Sequence, residues 1–456
     1  MRFLAFFAVV FAVHWSLRRA RWRKLWLLAA SYAFYAGWDW RFLGLILTST
    51  TIDFIAGRRM EASLEDGVRR RWLIASVVAN LGILGLFKYW DFFAESGAAF
   101  LAFLGLPATP STLKLILPIG ISFYTFQTLS YTIDVYRRQL SATDRIVDFA
   151  LFVAFFPQLV AGPIVRAAEL LPQLAENRRF AAVPVKACLT LFLIGYVKKA
   201  CLADNLASLV DPVFAHPEAA AASSLWLAMF LYGAQIFCDF SGYSDMAIAT
   251  AGLLGYRLPL NFDAPYIAAS VTEFWRRWHI SLSSWFRDYL YIPLGGNSGS
   301  RARTYANLAL VFLLCGLWHG ASWNFVIWGL IHGSYLVGER LLGLRTASGW
   351  RALRLSVTTL LVMLAWVPFR SPTLEQAGIY LAGLAGQAGV EASLSPAWWG
   401  LIALLGLIQY ALGGVDVLGA VERVPAPAFA PAYGLAVAWI LPWAAADYRP
   451  FIYFQF

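Results

Sequence analysis

Two histidines stand in similar five-residue motifs and could act as bases. His319 occurs in residues 316–320, "GLWHG", and His332 in residues 329–333, "GLIHG". His319 follows an apolar run, residues 308–318, so we expect it to lie deep, where an imidazole stays neutral. A neutral imidazole could take a proton from a hydroxyl that attacks an activated ester. Packing histidines are common, so this pattern alone leaves a purely structural role open.

Several other kinds of catalytic site are excluded. No Asp or Glu lies near His319 in the sequence, and the chain contains neither Gly-x-Ser-x-Gly nor His-Glu-x-x-His. The serine-hydrolase and zinc-protease classes therefore drop out. The cysteines lie in apolar contexts without the spacing of a metal site, which indicates buried free thiols. They are Cys188, Cys201, Cys238 and Cys315.

A polar stretch, residues 272–297, interrupts the apolar sequence and reads "TEFWRRWHISLSSWFRDYLYIPLGGN". Wound as one helix at 100° per residue, it places Arg276, Ser283 and Arg287 on one face. His279 falls at the border of that face and an aromatic stripe formed by Trp275, Trp278, Leu282, Trp285 and Phe286. The pattern suits a helix lying along the membrane interface or one that walls a water-filled tunnel.

Two carboxylates follow an apolar run in residues 239–245, "DFSGYSD". Carboxylates inside a membrane are costly and usually mark a polar cavity or a charged partner. Asp239 and Asp245 therefore predict one of these, with a helix end at the membrane interface as the alternative.

The composition is that of a polytopic membrane protein. Sixty per cent of the 456 residues are hydrophobic and 14% are charged, more apolar than a soluble core requires. Two apolar stretches, residues 113–133 and 155–174, contain prolines and glycines, which predict a broken or kinked span and a surface bend. The runs that predict helices are 42–56, 72–87, 187–197, 225–238, 305–318, 355–369 and 398–412.

The basic residues predict the orientation in the membrane. The cluster within residues 18–24 follows the first apolar run, the reverse of a secretory signal. By the positive-inside rule this cluster and the basic loop 58–71 are cytoplasmic, which puts the N-terminus outside. Basic loops facing anionic lipid explain the net charge of +10 without a nucleic-acid partner.

Four motifs resemble the membrane-bound O-acyltransferase superfamily. They are "FFPQLVAGPIVR" (155–166), "FWRRWHISLSSWFRDYLYIPLGGN" (274–297), "GLWHGASWNFVIWGLIHG" (316–333) and the closing "PFIYFQF" (450–456). They look most like its bacterial branch, the alginate O-acetyltransferases and related polysaccharide or peptidoglycan O-acetyltransferases. The N-terminal helices share only a general likeness with those of the family and contain none of the four motifs.

The resemblance implies roles for individual residues. The membrane-embedded catalytic histidine of the family matches His319. A second polar position, His in this branch and Asn in many eukaryotic members, matches His279. We therefore predict His319 and His279 as catalytic residues and no metal site. The predicted substrate-binding residues in the same motifs are Trp275, Arg276, Trp278, Ser283, Asn297, Trp318 and Asn324.

The resemblance also implies the fold. We expect an all-α polytopic membrane protein, a ring of about eleven transmembrane helices with re-entrant and interfacial helices around a central catalytic chamber. We predict a single membrane-embedded acyltransferase domain over residues 1–456. Within it, residues 1–112 would be peripheral scaffold helices, 113–340 the catalytic core and 341–456 C-terminal helices.

The implied activity is O-acetyl transfer in the bacterial inner membrane. Cytoplasmic acetyl-CoA would be the donor, with no bound cofactor. The acceptor would be an extracytoplasmic polysaccharide such as alginate, peptidoglycan, or first a Ser of a periplasmic SGNH-type acetyltransferase partner. Two alternatives stay open: D-alanyl transfer from an acyl-carrier protein to a cell-envelope polymer, and a non-enzymatic transporter with a polar cavity.

Overall fold

The apolar runs of the sequence form α-helices. The computed structural model describes residues 2–159, 162–344, 349–387, 393–446 and 449–451, and these contain no β-strand. The all-α prediction is therefore confirmed. The chain divides into two compact units, Met1–Val185 with Ala247–Pro259, and Lys186–Met246 with Leu260–Phe456.

The first unit is built around tightly packed helices with a polar centre. Leu43–Glu61, Asp66–Leu84 and Ile121–Tyr136 pack against one another. Between them the buried Asp53 carboxylate accepts hydrogen bonds from Ser76 Oγ (2.6 Å) and Asn80 Nδ2 (2.9 Å), as a buried carboxylate requires. The other helices of this unit are Arg2–Ser16, Ala20–Asp39, Trp90–Phe103, Ile146–Ala154, Phe156–Leu159 and Ala167–Ala175, with short 3₁₀ turns at Trp40–Phe42 and Phe180–Ala182 and a π-helical turn at Gly85–Tyr89.

The second unit contains the predicted catalytic motifs. Its α-helices are Val185–Tyr196, Asp204–Ala215, Ala222–Leu253 (the end of which belongs to the first unit), Val271–Arg277, Ile280–Phe286, Arg301–His319, Trp323–Leu341, Arg351–Arg370, Leu374–Ala382, Trp398–Leu412, Val417–Glu422 and Ala426–Ile440. Short 3₁₀ turns lie at Pro217–Ala219, Pro265–Ile267 and Leu441–Trp443, and π-helical turns at Val197–Ala203, Arg287–Tyr291 and Gly383–Gln387.

Three helical segments among the described residues are long and apolar enough to cross a membrane. They are Asp66–Phe103, Arg351–Arg370 and Ala426–Trp443, and Phe3–Ser16 and Trp398–Leu412 are shorter apolar helices. The segment Ala426–Trp443 has none of its apolar window buried inside the protein, as expected for a helix that faces lipid. The ring of about eleven spans and the predicted domain subdivisions stay predictions.

The structure locates the breaks predicted at prolines and glycines. In the stretch 113–133 the helix begins only at Ile121, directly after Gly120, whose φ is 76°. A side chain at Gly120 would place its Cβ 2.6 Å from the Leu159 carbonyl oxygen. The stretch 155–174 contains two separate helices, as a bend requires, although Val160 and Ala161 lie outside the described residues. Of the closing motif 450–456, residues 452–456 also lie outside them.

The two acids of residues 239–245 lie inside a helix, so the helix-end alternative is wrong. They belong to Ala222–Leu253 and are buried. Asp245 pairs with Lys198 at 2.7 Å, and Asp239 pairs with Lys199, which also lies 2.7 Å from Asp204. The buried carboxylates thus mark charged partners, because an unpaired charge at such a position would be strongly destabilising.

Candidate active site

The two histidine motifs form a closely packed pair of antiparallel helices. Arg301–His319 and Trp323–Leu341 cross where Gly316 meets Gly329. A Cβ on Gly316 would lie 2.1 Å from the Phe325 carbonyl oxygen, and one on Gly329 would lie 2.2 Å from that of Phe312. Glycines four residues apart thus let these neighbouring helices approach closely. His319 is the last residue of its helix, one turn past the crossing.

His319 is surrounded by aromatic rings and lies next to His279. It is 5% exposed, and ring centroids lie at 5.0 Å (Trp328), 5.1 Å (Trp318) and 5.4 Å (Phe369). The His279 ring is 6.5 Å away, centroid to centroid. The structure therefore brings together the two residues predicted as catalytic. Two neighbouring imidazoles surrounded by aromatic rings can hold and pass a proton while the rings exclude water.

His279 occupies a break between two helices, which corrects the prediction of one continuous helix. The polar stretch forms Val271–Arg277 and Ile280–Phe286, and His279 between them has φ 42° and ψ 55°, in the left-handed region. Asn261 supports the break. Its carbonyl accepts from the backbone N–H of Ile280 (3.0 Å), and its side-chain oxygen accepts from Ser281 Oγ (2.9 Å). A non-glycine residue with positive φ is strained and needs such support.

A cavity of about 340 Å³ lies beside the histidine-bearing helices. Three guanidinium groups and several hydroxyls line it together with apolar side chains. Arg276, Ser283 and Arg287, assigned above to one face, all line it although the helix is broken. The complete lining is Thr272, Trp275, Arg276, Ile280, Ser283, Ser284, Phe286, Arg287, Tyr291, Leu308, Val311, Phe312, Cys315, Leu336 and Arg340.

The cavity follows the helix that ends at His319. Its lining residues from Leu308 to Cys315 share one helix face and cover about 10 Å along the axis. Cys315 is one turn before His319. Since the two helices are antiparallel and cross at Gly316 and Gly329, Arg340 lies near the opposite end, about 21 Å along the axis from the level of His319. The Arg340 guanidinium thus lies at the end of the cavity far from His319, and the apolar face from Leu308 to Cys315 runs towards His319.

A family model for MBOAT, the membrane-bound O-acyltransferase family, matches residues 137–367. The chain is also 47% identical over 380 residues to a probable alginate O-acetylase AlgI of Azotobacter vinelandii, covering 82% of this chain and 75% of that protein. This chain belongs to the membrane-bound O-acyltransferase family.

Two other relatives of the family differ in what their names say they act on. A peptidoglycan O-acetyltransferase of Helicobacter pylori is 38% identical over 398 residues, 81% of this chain and 75% of that protein. A teichoic acid D-alanyltransferase of Streptococcus thermophilus is 31% identical over 264 residues, 54% of this chain and 63% of that protein. The protein is therefore an acyltransferase, which decides against the transporter alternative.

The residues that the family resemblance singled out fall into three groups. His319, His279 and Trp318 lie together, with Trp318 5.9 Å from His279 between ring centroids. Trp275, Arg276 and Ser283 line the cavity. Asn297 is not itself a lining residue, but it accepts from two that are, Tyr291 (2.6 Å) and Arg340 (2.8 Å). The other two do not line the cavity: Trp278 is buried against Phe262 and Trp366, and Asn324 donates to the Ser371 carbonyl (2.6 Å). All these roles stay predictions.

Sequence reasoning missed several residues of the site. Arg340 and Cys315 line the cavity, and Phe240 and Phe369 pack against the two histidines. The sequence offered a signal for Arg340, because this residue lies in the last turn of the helix that carries His332 between two glycines. Phe240 carried none, because nothing in an apolar helix tells which of its rings meets an imidazole from another part of the chain.

Proposed function

We propose that this protein is a membrane O-acetyltransferase. It moves an acetyl group from cytoplasmic acetyl-CoA to a hydroxyl on the outer side of the bacterial inner membrane. The observation that carries the proposal is the cavity, which has the Arg340 guanidinium at one end and extends to Cys315, one turn from the His279–His319 pair.

The cavity chemistry supports a phosphate-bearing thioester as the donor. Guanidinium groups bind phosphates through paired hydrogen bonds, and the apolar part suits an acyl-bearing arm. The end of the cavity near Arg340 is also the more basic end of the helix pair, which the positive-inside rule assigns to the cytoplasm. The arginines that flank these helices are Arg301, Arg303, Arg340, Arg351 and Arg354.

The reaction needs one base and one orienting group. His319 takes the proton of the acceptor hydroxyl as its oxygen attacks the thioester carbonyl carbon. The new C–O bond forms, the C–S bond breaks, and the proton passes to the departing thiolate. His279 hydrogen-bonds to the donor or acceptor and orients it. The aromatic wall of Trp318, Trp328 and Phe369 excludes water that would hydrolyse the thioester.

The relatives support a polysaccharide as the final acceptor. Their names specify alginate and peptidoglycan O-acetylation, so an alginate-like polymer is the acceptor we propose. Transfer occurs directly or through a Ser of a periplasmic SGNH-type partner. The N-terminus lies outside, which leaves the basic loops on the donor side. The teichoic acid D-alanyltransferase similarity favours D-alanyl transfer from a carrier protein as the second candidate.

The purified protein in liposomes, supplied with acetyl-labelled acetyl-CoA and alginate oligosaccharides, tests the proposal. We expect release of the free thiol and label on the sugar, or on the partner when that is added. Turnover restricted to a D-alanylated carrier protein would establish the second candidate instead.

The arginines allow a sharper test of the donor. Arg340→Gln removes a guanidinium from the cavity, so the KM for acetyl-CoA should rise by about ten-fold. S-Acetylpantetheine, which lacks the nucleotide phosphates, should show little change between the two enzymes. Arg423→Gln, at a surface helix end, is the matched control. An equal rise in KM for both donors would contradict the phosphate assignment.

A further inference from the structure

The last described segment, residues 449–451, is connected to the candidate active site by a row of rings. Phe451 is fully buried, and its ring lies 5.4 Å from Phe240 and 4.8 Å from Tyr243 between centroids. Phe240 in turn stands edge-on to the His279 imidazole at 4.6 Å. Phe451 therefore packs on the same ring that packs on His279.

Ring packing holds His279 in addition to its backbone contacts. Its left-handed conformation, φ 42° and ψ 55°, costs about 1–2 kcal/mol for a residue with a side chain. Asn261 fixes the backbone that follows through its hydrogen bonds to Ile280 and Ser281. The ring contacts Phe240 on one side and Trp318 on another. Phe240 is thus one of the rings that orient the imidazole towards His319.

A charged anchor fixes the closing segment beside this row. Arg449 pairs with the Asp211 carboxylate, which also accepts from Arg370 Nη2 at 2.7 Å. Arg370 follows Phe369, whose ring lies 5.4 Å from His319. One carboxylate therefore joins the closing segment to the helix that packs on the other histidine. A partly buried network of this kind fixes relative positions better than a single exposed pair.

We propose that Phe451 is a positioning residue for acyl transfer. The closing segment, anchored by Arg449 and Asp211, holds Phe451 against Phe240, and Phe240 holds His279 in its strained conformation facing His319. Phe451 touches neither donor nor acceptor. The inference rests on the proposed acetyl transfer for its kinetic consequence, but the packing row can be tested without any turnover.

The kinetic test compares Phe451→Ala and Phe451→Leu with Phe149→Ala. Phe149 is equally buried but packs on Tyr131 and Phe152, far along the chain from this row. Misplacing a catalytic group by about 1 Å costs up to about 100-fold in rate. We expect Phe451→Ala to lower kcat per folded enzyme by about ten-fold or more, with the KM for acetyl-CoA within about two-fold. Phe451→Leu should recover part of the loss, because it refills the space.

The second test uses modification of histidines by diethyl pyrocarbonate, followed by mass spectrometry. In Phe451→Ala the His279 imidazole should react at least about five-fold faster, since its packing opens locally. His332 in the same sample is the internal reference and should not change. An unchanged His279 rate in Phe451→Ala, or an equal increase in Phe149→Ala, overturns the inference. If the wild type fails to use acetyl-CoA, the proposed function fails, while the modification rates still decide the packing role.

Discussion

His319 and His332 stand in pentapeptides with glycines at the same places, yet their surroundings differ. His319 ends its helix and lies beside His279, with the cavity one turn away. His332 lies within its helix, fully buried, and its Nδ1 accepts a hydrogen bond from the Trp275 indole N–H at 3.3 Å. The glycines serve helix packing in both motifs. The position along the helix, which the motif does not encode, separates a candidate base from a residue that holds a wall of the cavity.

The largest effect is expected at His319. His319→Ala should lower acetyl transfer by about 10²–10⁴-fold, because it removes the proposed general base. His332→Ala should retain partial activity, because it removes the acceptor for Trp275 and some ring packing but not the proposed base. Both variants are compared by turnover per amount of folded, purified protein. Wild-type turnover in folded His319→Ala would contradict the assignment of His319 as the base. Equal losses in both variants would show that the two histidines do not differ in importance for turnover.

The glycine packing should be the next most sensitive feature. Gly316→Ala introduces a Cβ that would lie 2.1 Å from a backbone oxygen, so the two helices must separate. We expect a loss of about 1–3 kcal/mol in the free energy of unfolding, with lower activity. Gly338→Ala, on the same pair of helices, meets nothing within 4 Å and should leave thermal stability unchanged. Stability of Gly316→Ala equal to that of Gly338→Ala would refute the close crossing.

His279 offers a smaller, graded effect. If it orients a substrate by hydrogen bonding, His279→Asn should keep more activity than His279→Ala, since Asn still has a donor and an acceptor. The measurement is kcat and KM for acetyl-CoA in both variants. Equal losses would indicate that the imidazole acts as a proton carrier instead.

The smallest effect is expected at Trp275. Trp275→Phe removes the N–H that His332 accepts while keeping an aromatic wall, so the KM for acetyl-CoA should rise by about two- to five-fold. Combined with His332→Ala, it should add little, because both changes break the same contact. Fully additive effects on KM would show that His332 and Trp275 act separately.

The sequence predicted much of the site because its signals are local. Glycines four residues apart around a histidine indicate close helix packing wherever the helix lies, and the structure confirms it at Gly316 and Gly329. The sequence also grouped Arg276 with Ser283 and Arg287 on one helix face, and in the structure all three line the same cavity. The continuous helix through His279 was wrong, because helical periodicity carries no information about a residue that the tertiary structure holds in the left-handed region.

By itself, the amino-acid sequence determined the membrane class, the helical content, the family and the motifs that carry its chemistry. These follow from the composition, the apolar runs and the spacing of neighbouring residues, which can all be read without knowing how the helices pack. The tertiary structure alone decided which rings enclose His279, that Arg340 and Cys315 share a cavity with Arg276, and that Lys198 and Lys199 neutralise Asp245 and Asp239. The physical reason is that these contacts join residues far apart in sequence. Their pairing depends on how whole helices pack, and no local pattern specifies that.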